Sequence, residues 1–303
     1  MSKFQRTFTM KVEGRSGTIH TFKTPLTVIF DMTSRPSGGG INSAHFMIYN
    51  IAYDKRVDIQ YDSAIDIKDN VVIRRVFRFD AGYSTTEGYE PTIFKGNIKT
   101  AFSYRDGPDV ITDITVMDGL DAVQNAQIQS SRVIPWKPEV EAAAIANTMG
   151  KYGVKLGAIG HLFGRFTSTR GVMWLGSSGD VLRNLAASHG GFAAINKEKV
   201  YLMAQDDVLD LPGMLPRLDS SSGLIGTPRR SGWRIDARML FEPRLELMQG
   251  IQVISEVARD INGVFRIASI SHEGTISGAK DGGVITSVAL DGNANGFNKV
   301  NAQ

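Results

Sequence analysis

At 303 residues and 42% apolar, with 34 basic against 31 acidic side chains, the chain has enough material for two or three packed domains and is too apolar to be read as disordered. The absence of cysteine excludes disulfides, Cys-ligated zinc, iron–sulfur clusters and thiol catalysis, and a net charge of only +3 argues against a dedicated nucleic-acid binder. Residues 1–7 have no apolar signal core, and no stretch approaches the roughly 18 apolar residues of a membrane span, so the expectation is a protein kept in cytoplasm-like conditions.

From Thr7 to Met117 the apolar period is two. Phe8, Met10 and Val12 alternate with polar residues, then Leu26, Val28 and Phe30, then Val57, Ile59 and Tyr61. Residues 71–79, 93–98 and 111–117 continue the pattern, which predicts half-buried antiparallel strands in a barrel or sandwich over residues 1–130. Two loops interrupt it, at residues 34–40 and 82–90. Gly38, Gly39 and Gly40 offer no side chain to anchor, whereas Ile41 does. Two readings of the loop stand side by side: it orders on docking against a neighbouring subunit, or it is a passive surface connector.

The pattern changes near Ser130, and residues 131–222 read as a small α/β unit. Pro138-Glu139-Val140 opens a helix whose apolar stripe would use Val140, Ala143, Ala144 and Ile145, with Gly150 as its stop. A second helix starts near Ser177-Ser178-Gly179-Asp180, capped by one of the serines, and places Val181, Leu182, Leu185 and Ala186 on one face. Strands at residues 192–195 and 200–203 follow as a hairpin turned at Asn196-Lys197-Glu198-Lys199. The run Asp219-Ser220-Ser221-Ser222-Gly223 has linker composition.

Residues 223–303 form a second β unit. Asn262-Gly263 between apolar runs predicts a two-residue type I′ hairpin with φ > 0 at Gly263, and residues 292–303 read as a fraying polar tail.

Catalytic constellations are weak. His272-Glu273 lacks the second histidine of a zinc-protease helix, since position 276 is Ile, and it falls on a strand end, so a solvent-facing or hydrogen-bonded structural histidine is the better reading. Gly176-Ser177-Ser178-Gly179 lacks the spacing of a nucleophile elbow. No Lys-Ser or Lys-Thr pair follows Gly40 to make a phosphate loop. Asp206-Asp207 and Asp118 with Asp121 read as solvated turn or helix-start carboxylates. Histidines 20, 45, 161, 189 and 272 show no metal-ligand spacing. Neither a cofactor nor a catalytic residue is expected. Two basic clusters remain, Arg74-Arg75 with Arg78, and Arg229-Arg230 with Arg234 and Arg238. Solvated faces or ion pairs are the first reading, and contacts of Arg229, Arg230 and Arg234 to phosphate or to an acidic surface the second.

In order along the chain stand Ala44-His45-Phe46-Met47-Ile48-Tyr49-Asn50-Ile51, Ile93-Phe94-Lys95-Gly96-Asn97-Ile98 and Asp180-Val181-Leu182-Arg183-Asn184-Leu185-Ala186. They are followed by the block from Gly223-Leu224-Ile225-Gly226 through Phe241-Glu242-Pro243 to Ser271-His272-Glu273-Gly274. This succession resembles the baseplate hub and related tail proteins of contractile-tailed bacteriophages. The resemblance implies a mainly β, α+β fold, with two tail-tube-like β-barrel or sandwich domains flanking a small α/β unit. It also implies a non-enzymatic homotrimer, whose six barrels form a pseudo-six-fold ring around the DNA channel and join the hexameric tail tube to the central spike. The implied partners are the tail tube protein, the spike, and the tape measure and wedge or other baseplate proteins, with DNA only in transit and no membrane insertion. The implied location is the virion tail, after assembly in the host cytoplasm. A tube initiator or terminator is the near alternative; a nucleic-acid-binding module or a cell-envelope hydrolase is a more distant one.

Overall fold

In the computed structural model, residues 5–36, 41–60, 66–68, 71–84, 90–213, 215–278, 282–292 and 298–302 are described. The N-terminal elements are β1 (Arg6–Glu13), β2 (Ile19–Lys23), β3 (Val28–Ser34), β4 (Ser43–Tyr49), α1 (Tyr53–Ile59), β5 (Asp66–Lys68), β6 (Val71–Ile73), β7 (Val76–Tyr83), β8 (Thr92–Asp106) and β9 (Asp109–Met117). The period-two alternation has its expected consequence. Phe8, Met10, Val12, Val28 and Phe30 are all buried, in one core crossed by Phe46, Phe77 and Phe79. The ring centroids of Phe46 lie 4.6 Å from Phe77 and 4.9 Å from Phe79, close enough for aromatic pairing to add to area burial.

One expected strand is a helix. Val57 and Ile59 lie on α1, where only Ile59 is buried while Tyr53 and Val57 face solvent; Tyr61 lies outside the described residues. Three alternating apolar residues cannot by themselves separate a strand from a short helix that presents one anchor. The helix is placed by Asp58, whose carboxylate accepts Ser16 N–H of the β1–β2 connection at 2.8 Å and lies 2.6 Å from His20 Nε2 on β2.

The middle elements are α2 (Leu120–Asn125), β10 (Gln127–Arg132), α3 (Pro138–Thr148), β11 (Lys155–Ile159), α4 (His161–Arg165), β12 (Val172–Ser177), α5 (Ser178–Ser188), β13 (Gly191–Asn196) and β14 (Lys199–Ala204). Strands β11, β14 and β13 make a small mixed sheet, and β10 pairs with β12. Val181, Leu182, Leu185 and Ala186 of α5 are buried as their spacing predicts. The stripe of α3 is rotated from the expected one. Glu141, Ala142, Ile145 and Ala146 are buried, Val140 is exposed, and the segment stops at left-handed Gly153 after a turn of 3-10 helix, not at Gly150. In an Ala-rich helix the apolar pattern is nearly uniform, so the neighbours choose the face. Neither serine caps α5: Ser177 Oγ donates to Val123 C=O, and Ser178 Oγ lies 2.7 Å from Thr148 Oγ1.

The C-terminal elements are β15 (Asp207–Asp210), β16 (Arg217–Leu218), β17 (Leu224–Ser231), β18 (Arg234–Leu240), β19 (Gly250–Val253), β20 (Gly263–Ile276), β21 (Val284–Asp291) and β22 (Asn298–Asn301). Among the described residues the main sheet has 13 strands, with the path β17-β18-β21-β20-β3-β4-β9-β8-β7-β1-β2 and with β16 and β19 beside it. The hinge of this topology is β20. Along one edge it pairs with β21; along the other it pairs with β19 through Gly263–Arg266 and then with β3 through Ile270–Ile276. A register irregularity between Ile267 and Ser269 falls where the neighbour changes, as bulges do where a strand bends. The protein is thus mainly β, with the N-terminal and C-terminal strands on one largely antiparallel sheet, in which β16 and β19 are a parallel pair.

Three local expectations differ from the structure. Asn262 and Gly263 do not form a type I′ turn: Asn262 has φ −64 and ψ 129, Gly263 is the first residue of β20, and a 3-10 turn at Arg259–Ile261 completes the connection from β19. Asn262 instead uses its Oδ1 to accept Ser255 N–H at 2.6 Å, so the residue signals a longer loop. The polar tail is also partly ordered, since β22 pairs in parallel with β15. The Ser-rich run at residues 219–223 is a folded turn, in which buried Asp219 accepts Ser221 Oγ–H and Ser222 N–H.

Candidate functional site at the junction of the three units

The hairpin β13–β14 ends in a two-residue turn, Lys197 and Glu198, with φ 53 and 58. Two side-chain-bearing residues in left-handed backbone are costly unless surroundings hold them. The holder is Asp118, just past the end of β9. Its two oxygens accept Lys197 N–H at 2.5 Å and Glu198 N–H at 2.8 Å. The turn then reaches both β units: Glu198 pairs with Lys95 of β8, and Lys197 Nζ donates to Glu246 Oε1, ahead of β19, at 2.7 Å. Asn42, before β4, adds Nδ2–H to Ile195 C=O at 2.8 Å. Burial of Asp118 outweighs these hydrogen bonds and pushes its carboxyl up to about 7.

A second lock joins the α/β unit to the C-terminal strands. Arg266 of β20 is buried and makes a fork to Asp291, Nε to Oδ1 at 3.0 Å and Nη2 to Oδ2 at 2.9 Å. Its Nη1 donates to the carbonyls of Ala204, Gln205 and Asp207. Between the β units, His272 is enclosed. Its Nδ1 lies 2.9 Å from Thr286 Oγ1, its ring stands edge-on to Phe241, and Tyr83 O–H donates to Phe241 C=O. Burial, with Lys197 nearby, pushes the His272 imidazole down to about 3, so it is neutral. It is a structural histidine, buried and not solvent-facing.

The acidic pairs are not solvated carboxylates, Asp206 excepted. Asp118, Asp121 and Asp207 are buried, because each satisfies backbone N–H groups: Asp121 accepts Arg74 N–H, and Asp207 accepts Ala204 N–H. Burial raises the carboxyls of Asp121 and Asp207 as well. Ser16, Asp58 and His20 meet, but serine and histidine both turn to the same Asp58 oxygen, so the histidine is not placed to take the serine proton. Among the described residues no group of three His, Asp or Glu side chains could hold a metal.

The first basic cluster is committed internally. Arg74 faces Asp121, Arg75 donates to Arg15 C=O, and Arg78 donates to the Asp80 carboxylate. The second is exposed on β17 and β18, at the open end of the sheet path, where Pro228 lacks the N–H an inner strand would need. Register pairs Arg229 with Asp236 and Arg230 with Ile235. Arg229 and Arg234 therefore share the outer face with Asp236 and Arg238, whereas Arg230 lies on the opposite one. Arg234 is bonded to Asp236, and among the described residues Arg229 and Arg230 have no charged partner. Gly38, Gly39 and Gly40 lie outside the described residues. Ile41 is half-buried in the wall of a cavity of about 190 Å³ that it shares with Asn42, Asp118, Leu182 and Phe192. The hairpin turn at residues 196–199 lies where the sequence places it, whereas Arg266, Glu246 and Lys95 carry no sequence signal of the contacts they make. The only local hint was the hairpin, whose turn carries no glycine.

The profile of the family described as Baseplate hub gp41 matches residues 50–276. Among solved structures, the 43 kDa tail protein of prophage MuSo2 from Shewanella oneidensis is similar at TM-score 0.60 and 11% identity, covering 97% of this chain and 100% of that one. A tail protein from Neisseria meningitidis MC58 is similar at TM-score 0.60 and 10% identity, covering 97% and 98%. A chain of the Francisella PdpA-VgrG complex is similar at TM-score 0.51 and 9% identity, covering 94% of this chain and 52% of that one. No curated protein sequence matches the chain. At these identities the solved structures establish a shared fold.

Proposed function

Because the chain belongs to the baseplate hub gp41 family, a family of structural phage-tail components, we propose that it is a hub subunit, assembling as a homotrimer whose paired β units make a pseudo-six-fold ring around the DNA channel. The observation that carries this reading is β20, which pairs with strands of both β units and so fuses them edge to edge in every subunit. A rigid tandem of that kind gives a three-fold assembly six similar faces to present to a hexameric tube. The other side of the ring joins the central spike, with tape measure and wedge proteins as further neighbours. The fold shared with a chain of the PdpA-VgrG complex supports association with further tail and spike proteins.

In this reading the chain is not an enzyme. It is assembled in the host cytoplasm and resides in the virion baseplate, with residues 1–130 and 223–303 as the tube-like domains. The Gly38–Gly40 loop with Ile41 is an assembly contact, and Arg229, Arg230 and Arg234 meet an acidic surface or DNA phosphate. Light scattering of the purified protein, alone and with its tail partners, tests the assembly; a stable monomer under both conditions refutes it. Imaging of particles with this chain located separates a hub from a tube initiator or terminator. A shortened loop that still supports normal tails refutes the loop assignment.

A further inference from the structure

The hairpin of β17 and β18 stands at the open end of the sheet path, and every residue from Arg229 to Arg234 is exposed. Its tip is the two-residue turn Gly232-Trp233, between Ser231 and Arg234. Gly232 has φ 63, and in such a turn only the first central position needs glycine, so the second is free to carry the indole. Trp233 is 76% exposed, whereas Trp136 and Trp174 pack against each other on the core of the α/β unit. Arginines flank the tip on both faces, Arg229 and Arg234 on one and Arg230 on the other. We propose that this tip docks into a second tail protein, with Trp233 seated in an apolar pocket and the arginines meeting carboxylates on the pocket walls.

The chemistry of the partner follows from the charge. Residues 224–240 hold four arginines and one aspartate, so the remainder of the chain has 30 basic and 30 acidic side chains. The formal excess of +3 thus resides in this hairpin, and a surface rich in carboxylates is its complement. Tryptophan and arginine are also the residue types that most often dominate a contact between proteins. An indole buries a large apolar area, and a guanidinium makes a planar fork to a carboxylate. A DNA duplex fits less well, because the neutral remainder offers no further excess charge to a phosphate backbone. A second copy of this chain does not offer the pocket among its described residues. In none of the cavities of about 190, 260, 340 and 440 Å³ do carboxylates outnumber cations. Asp118 lines the first together with Arg35 and Arg183, and Glu242 lines the last together with Arg217 and Arg244. That the partner is another tail component rests on the hub reading.

Hydroxyl-radical footprinting of the purified protein and of assembled tails tests the docking. Oxidation of Trp233 should fall about fivefold or more in tails, as its exposed indole becomes enclosed. Trp233→Ala should keep the wild-type melt and lower tail incorporation about tenfold or more, while Trp233→Phe, which keeps an aromatic anchor, should stay within about threefold of wild type. Arg230→Lys places an amine at the tip, and a zero-length carbodiimide cross-link made in tails should join it to an Asp or Glu of a different tail protein. Normal incorporation of Trp233→Ala, or a cross-link to another copy of this chain, overturns the proposal. So does equal protection of Trp233 in the purified protein by a short DNA duplex, by vesicles of phosphatidylcholine and phosphatidylglycerol, or by raising its own concentration. Those outcomes name nucleic acid, lipid or a second copy as the occupant instead. Tails that lack the chain overturn this inference together with the hub reading; tails that contain it with Trp233 as reactive as in the purified protein overturn the inference alone.

Discussion

Replacing Arg266 with methionine keeps a long side chain against the Phe192 ring, whose centroid lies 5.6 Å from the guanidinium carbon, but deletes the hydrogen bonds to Asp291, Ala204, Gln205 and Asp207. What remains is the Asp291 carboxylate, largely buried, without its cation, and the carbonyls of Ala204, Gln205 and Asp207 without that donor. Removing one partner of a buried ion pair costs about 3–5 kcal/mol, because the other charge stays desolvated. The carbonyls add to this, each at most about 1–3 kcal/mol and less where water can enter. At roughly 2–4 °C per kcal/mol for a chain of this order of size, the melting temperature should fall by about 10 °C. Calorimetry and urea unfolding measure it. Arg266→Lys should be intermediate, since an ammonium keeps the charge but cannot match the fork to Asp291. Adding Asp291→Leu to Arg266→Met should recover part of the loss, as expected when the uncompensated carboxylate is the main cost. Arg266→Met within about 1 kcal/mol of wild type would refute the view that this lock holds the α/β unit to the C-terminal strands.

The raised carboxyl of Asp118 predicts that wild-type stability declines as pH rises from about 4 to 7 and is then level, a penalty on the order of 4 kcal/mol if unopposed; Asp118→Asn should lose that slope in urea titrations run at pH 5 and pH 8. Gly274, with φ 148, sits where a Cβ would lie 2.7 Å from Val284 Cα, so Gly274→Ala should destabilise by about 2 kcal/mol or more, whereas Gly263→Ala meets only the Phe265 ring at 3.4 Å and should stay within about 1 kcal/mol in parallel melts. Tyr83→Phe removes the hydroxyl bonded to Phe241 C=O at 2.6 Å and should cost about 1 kcal/mol, read by the same unfolding curves. Combined Arg229→Ala, Arg230→Ala and Arg234→Ala should leave the melt within about 1 kcal/mol and lower tail incorporation; normal incorporation would show these residues to be a solvated surface.

The sequence by itself determined most of what depends on neighbours along the chain. The alternation of Phe8, Met10 and Val12 set their burial, the spacing of Val181, Leu182, Leu185 and Ala186 set the face of α5, and the ordered blocks from Ala44 to Gly274 carried the family resemblance. Tertiary structure decided the rest. Val57 and Ile59 satisfy a period-two pattern equally well on a one-sided short helix, and only Asp58 reaching residues 16 and 20 selects it. Asn262-Gly263 follows the local rule for a tight turn, yet the partner of Gly263 is Val253, so the connection is longer. Asp118 and Asp121 read as solvated in sequence because nothing near them along the chain accounts for their burial. Asp118 caps amides 79 and 80 residues away, and Arg266 closes on carbonyls 59 to 62 residues away. A buried charge is stable only where partners converge on it from separate elements, and that convergence exists only once the sheet has brought both β units and the hairpin together.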